Sequence, residues 1–160
     1  MPTPCQVCFH TVDTDEFEKL GIIESDFVVR LGYLDEGTTL NDLMDLRSSA
    51  EEVFSESHWA FYRIESLILP HLKAVDSALA CHFMTRKVTY LEKLGFPTYS
   101  YAWAMEELAD ELLRLPGPLA SRRSYELYQK SLFVLSSMTG NDSGYSQAIK
   151  EKVEAMSEIF

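Results

Sequence analysis

Three helix-length apolar stripes follow one another between residues 98 and 160, parted only by Pro116-Gly117-Pro118 and by the run from Thr139 to Gly144. Connections that short leave successive helices little choice but to pack as antiparallel neighbours through their stripes. The first stripe, over about 98 to 115, turns Ala102, Met105, Leu108, Ala109 and Leu112 inward and Glu106, Glu107, Asp110 and Glu111 outward. The second follows Ser121, a candidate cap, with Tyr125, Tyr128, Leu132, Leu135 and Met138; the position of Leu132 in mid-stripe predicts a core residue. The third follows Asp142 or Ser143 with Tyr145, Ile149, Val153, Met156 and Phe160.

Upstream, Thr39-Leu40-Asn41-Asp42 has the form of a capping box and opens a stripe running from Leu43 to Ile68, which Pro70 ends or kinks. A further stripe from Leu72 to Leu94 closes at Gly95-Phe96-Pro97, where glycine can turn left-handed, Phe96 can fold back and proline prevents resumption. Residues 40 to 94 therefore divide into two long helices, about five in all. Before Thr39 the pattern differs. Residues 5 to 12 alternate weakly, 26 to 34 alternate with Phe27, Val29, Leu31 and Tyr33 on one face, and two turns of helix stopped by Gly21 lie between. The expectation is an all-α antiparallel bundle over residues 39–160, with a small irregular or short-strand region, residues 1–38, packed on it.

With 25 acidic against 14 basic side chains the chain carries a formal charge of −11, which repels a phosphate backbone and argues against nucleic acid as a partner. Hydrophobic residues make up 46%, enough to fill one core at this length. No apolar run approaches the roughly 20 residues of a membrane span, and three cysteines cannot all pair. The reading is a cytoplasmic protein.

Candidate chemistry is sparse. Cys5 and Cys8, followed by His10, have the spacing of two zinc thiolates, but a structural zinc needs four ligands and only the distant Cys81-His82 pair could complete it. The alternative is that Cys5 and Cys8 face different sides of a strand or lie in a frayed terminus. A zinc-stabilised regulatory domain joined to helical repeats is thus the second reading, and no metal or other cofactor is assigned. Three residues before His58, His71 and His82 stand Ser55, Ile68 and Leu79, so the Glu-x-x-His pair of di-metal carboxylate bundles is missing. The run Glu106, Glu107, Asp110 and Glu111 reads as a solvated face, with Asp110 and Arg114 as a local pair. Neither Gly-x-Ser-x-Gly, Gly-x-Gly-x-x-Gly nor a phosphate loop occurs, and no catalytic residue is assigned. Arg122 and Arg123 fall in the first turn of the expected fourth helix, where the macrodipole disfavours cations by about 0.3–1 kcal/mol each. Either the acidic face of the preceding helix compensates, or the pair awaits an acidic or phosphorylated partner.

The segments Ser124-Tyr-Glu-Leu-Tyr-Gln-Lys-Ser-Leu-Phe-Val-Leu135 and Ala148-Ile-Lys-Glu-Lys-Val-Glu-Ala-Met156 resemble the microtubule-interacting and transport (MIT) domain, including the divergent tandem copies at the C-terminus of autophagy-initiating kinases. Tyr128, Ser131 and Leu132 match the family's Tyr-x-x-(Ala/Ser)-Leu core, and Ile149 with Lys152 matches its Ile-x-x-Lys pattern. The family's Gly-x-Tyr-x-x-Ala entry to the second helix is here Leu119-Ala120-Ser121-Arg122-Arg123, and its late arginine-alanine pair is Ser157-Glu158. A tetratricopeptide-like hairpin shares the same amphipathic pattern over Tyr125 to Ser143. The MIT resemblance covers residues 98–160 and implies a non-catalytic module docking a protein helix or peptide in an inter-helix groove. Tyr128, Ile149, Lys152, Val153 and Met156 would lie near it, with Lys152 meeting an acidic partner residue. Homo-oligomerisation is left open.

Overall fold

The computed structural model describes residues 14–34 and 37–157, all of whose regular structure is helical: α1 (Thr14–Gly32), α2 (Leu40–Glu51), α3 (Trp59–Leu72), α4 (Ser77–Lys93), α5 (Tyr99–Leu112), α6 (Pro118–Thr139) and α7 (Gly144–Ser157). The chain forms two compact units, Met1–Ile68 and Leu69–Phe160, so the sequence division at 38/39 falls inside the first. Among the described residues no helix is long and apolar enough to cross a membrane.

The first unit departs furthest from expectation. Where a two-turn helix and a strand are predicted, one helix of 19 residues runs from Thr14 to Gly32, through Gly21. A lone glycine inside a helix costs only about 1 kcal/mol, too little to stop it without a second signal. The alternation at 27, 29, 31 and 33 is two interleaved i,i+4 pairs: Phe27 and Leu31 turn inward, Val29 and Tyr33 outward. The ring of Phe27 meets Phe54 edge-on at 5.1 Å. The other predicted strand, residues 5–12, lies outside the described residues.

Thr39 forms the capping box at α2: its hydroxyl oxygen accepts the Asp42 N–H at 3.3 Å, while the Asp42 carboxylate accepts the Thr39 N–H at 2.9 Å. The Thr39 hydroxyl also donates to the Asp42 carboxylate at 2.6 Å, and that bond, with the one from the Thr39 N–H, holds the Asp42 carboxyl below its ordinary range. The long helix expected over 43–68 is two helices, because Ser55 and Ser57 favour local backbone bonds over helix and the apolar spacing opens between Phe54 and Phe61. At their junction the His58 ring stacks on Phe54 at 4.1 Å. Arg47 then joins α2 to α3, donating from Nε to the buried Glu65 at 3.1 Å. Glu51 receives a second bond from the same guanidinium at 2.7 Å.

In the second unit Asp76, not Leu72, opens α4, its carboxylate accepting the Leu79 N–H at 2.9 Å. The stop at Gly95 is as expected, with φ +75°, yet Phe96 stays exposed and does not fold back. α5 begins after Thr98, whose hydroxyl accepts the Tyr101 N–H at 3.1 Å. It packs against both α4 and α6, and α7 packs on α6. The α5–α6 seam is built on small residues: Ser124 and Ser131, seven apart, face Ala109 and Ala102 and donate to their carbonyls at 2.8 and 2.9 Å. These bonds satisfy hydroxyls that would be costly to bury alone. Tyr128 and Leu135 fill the same face, whereas Leu132, expected in the core, is only half-buried. Ser143 caps α7 by accepting the Ser146 N–H at 3.2 Å.

Candidate functional site

Helix α5 contains four acidic residues and no basic one, and cations from outside the helix approach its carboxylates. Lys152 of α7 supplies the nearest. Its ammonium donates to Glu106 at 2.8 Å and to both oxygens of Asp110 at 2.8 and 3.0 Å. The hydroxyl of Tyr128, from α6, donates to the same Asp110 carboxylate, and the ammonium lies 5.3 Å from the Tyr128 ring centre. One lysine and one tyrosine therefore tie α6 and α7 to α5. Burial, then the bond to Asp110, pushes the Tyr128 phenol far above its usual value. Burial favours the neutral amine of Lys152, but Asp110 and Glu106 outweigh it and raise the pKa. Both groups keep their protons at neutral pH, and the cluster bridges three helices.

The other sequence-predicted residues separate. Ile149 and Met156 are buried and Val153 half-buried, so that stripe is largely used in packing α7 on its own unit. Arg122 and Arg123 do not sit in a first turn: Pro118 starts the helix one turn earlier, which relieves the macrodipole penalty. Arg122 pairs with Glu126 at 3.3 Å on the surface, and Arg123 donates to the Thr85 hydroxyl of α4 at 3.2 Å. The α5 carboxylates are engaged elsewhere: Glu107 approaches Lys87 at 3.6 Å, and Arg114 pairs with Glu111 at 3.4 Å rather than with Asp110.

Glu111 itself is buried, with one carboxylate oxygen lacking a hydrogen-bond partner. It lies near Cys81, whose thiol burial and this carboxylate push up, while Arg123 pulls it down. A thiol held protonated is a poor nucleophile. Among the described residues no three His, Cys, Asp or Glu side chains are grouped to hold a metal ion; Cys5, Cys8 and His10 lie outside those residues.

The feature that sequence reasoning missed is an open cleft of about 470 Å³ flanked by α4 and α6 with α5 beneath. Tyr101, Met105, Phe133 and Val134 give it apolar walls; Glu92, Glu126 and Lys130 stand at its polar margin. The Tyr101 hydroxyl donates to Glu92 at 3.3 Å, fixing one wall. Burial and the neighbouring Glu92 charge together raise the Tyr101 pKa. Phe133 is 74% exposed although it sits between Leu132 and Val134 in mid-helix. A large aromatic residue off the α6 stripe was the available signal.

No protein-family model and no curated protein matches this chain.

Proposed function

We propose that residues 69–160 form a non-catalytic docking module that receives an amphipathic helix of a partner protein in the cleft between α4 and α6. The observation that carries this reading is Phe133, an exposed aromatic side chain in the middle of α6 beside an apolar-walled cleft. Aromatic anchors next to preformed grooves are where helix-binding energy concentrates. The occupant fitting these walls offers a large aliphatic residue to the space between Phe133 and Tyr101, with mixed charges to meet Glu92, Glu126 and Lys130. The resemblance to MIT domains supports docking as the job, and the succession of α5, α6 and α7 through short turns agrees with it. The groove differs from the one the resemblance implies, because Tyr128, Ile149 and Met156 are committed to the core.

The test selects helical peptides against the intact chain from a randomised display library and measures their affinity for the Phe133→Gln protein. A fall of about tenfold with an unmoved melting temperature is expected, as for loss of one anchor. Selected peptides that bind both proteins equally would place docking elsewhere, and failure to select any peptide would remove the reading.

A further inference from the structure

The acidic excess is not shared between the two units. Residues 1–68 hold fourteen acidic and four basic side chains, a net −10, while residues 69–160 hold eleven and ten, a net −1. Within the first unit, α1 turns a distinct stripe to solvent: Asp15, Glu18, Ile22, Asp26 and Val29, with Tyr33 just past its end, recur at spacings of three and four. The apolar members are 72%, 53% and 82% exposed for Ile22, Val29 and Tyr33. Its opposite side is occupied, since Phe27 is buried against Phe54, and Glu24 accepts from the Trp59 indole N–H and lies 3.5 Å from His58. The α1 helix therefore has two apolar sides, of which its own unit uses one.

We infer that the outer stripe of α1 is a docking surface for a basic amphipathic helix of a partner protein. Three carboxylates, weighted to the N-terminal half of the stripe, and three large apolar side chains, weighted to its C-terminal half, match a helix carrying aliphatic residues at i, i+3 or i+4 and lysine or arginine beside them. Charge decides the occupant. A second copy would bring another unit of net −10 against the first, and nucleic acid or an anionic membrane would be repelled in the same way. Arg30, which approaches Asp26 at 4.0 Å, and Lys19 are the only basic residues of α1 and leave the carboxylates in excess.

The probe is a synthetic leucine-lysine amphipathic peptide of about 20 residues, long enough to form helix, with its leucine-glutamate counterpart as control. Titrated into the full-length protein at low and high salt, the lysine peptide is expected to bind, to weaken as salt rises, and to bind about tenfold less well when Ile22→Gln and Val29→Gln are combined. The glutamate peptide is expected not to bind. Glu18→Lys with Asp26→Lys alters exposed side chains only and is expected to flatten the salt dependence, which keeps the test decisive even if the glutamine variant folds poorly. Equal binding by wild-type and both variants, or binding of the glutamate peptide, overturns the assignment. So does a wild-type dimer that Ile22→Gln dissociates, since the stripe would then be occupied by its own copy. The two sites share no residue, so peptides sensitive to Phe133→Gln but not to the α1 changes separate failure of this inference from failure of the cleft.

Discussion

His58 is the residue whose ionisation bears most directly on the first unit. Its ring stacks on Phe54, and burial pulls its pKa below the ordinary 6.5, with Glu24 opposing in part. The neutral ring is therefore the form that the fold prefers. As pH falls through the unfolded value, the unfolded chain gains a proton that the folded chain resists taking up, so the stability this residue contributes is present above pH 6.5 and declines below it. Urea midpoints measured between pH 7.5 and 5 are expected to fall more for the wild-type than for His58→Phe, which keeps the stack and cannot charge. Parallel profiles would show that His58 titrates as an exposed histidine does. Other single residues were only half legible. The sequence marks Tyr128 and Lys152, but their shared partner Asp110 lies 18 and 42 positions away, a distance that no spacing rule spans. Without it, a lysine that clamps α7 to α5 reads as one waiting for a partner.

At the scale of elements, the seam between α5 and α6 depends on small side chains. Ser131 is buried and donates to the Ala102 carbonyl, so the two helices meet where neither presents a large residue. Ser131→Leu is expected to cost about 1–3 kcal/mol by forcing them apart, whereas Ser137→Leu, on the exposed side of α6, should move the thermal midpoint little. Equal shifts from the two would mean that the seam has slack. Helix periodicity makes α5, α6 and α7 readable because each buries one stripe and local stops part them, Gly117 with Pro118 after α5 and Gly140 after α6. It failed for α1 because a helix apolar on two sides also satisfies a period of two over a short window, with Phe27 and Leu31 inside and Val29 and Tyr33 outside. It failed again between Phe54 and Trp59, where serines end a helix without glycine or proline to announce it. The cleft at Phe133 was invisible for a related reason: a groove belongs to the gap between elements, and periodicity describes each helix alone.

For the whole molecule, the net charge of −11 is an average that hides a division. Nearly all of it belongs to residues 1–68, while residues 69–160, at −1, are close to neutral and contain the seam, the Lys152 clamp and the cleft. Such a unit should not need the acidic one to fold, because α5 buries Ala102, Met105, Leu108, Ala109 and Leu112 while packed against α4 and α6, α7 packs on α6, and the seam's polar groups are satisfied from within. Expressed alone, residues 69–160 are expected to give a helical circular dichroism spectrum and one cooperative melt, and to leave an anion exchanger near pH 7 at much lower salt than the full chain. Introducing Lys152→Glu into this fragment sets a third carboxylate against Glu106 and Asp110, and should lower its melting temperature with the spectrum still helical. A fragment that is helical but melts without a transition would show that its packing depends on residues 1–68. A cooperative fragment indifferent to Lys152→Glu would instead confine the holding of α7 to Ile149 and Met156, and leave the ammonium free of the role that its three short bonds describe.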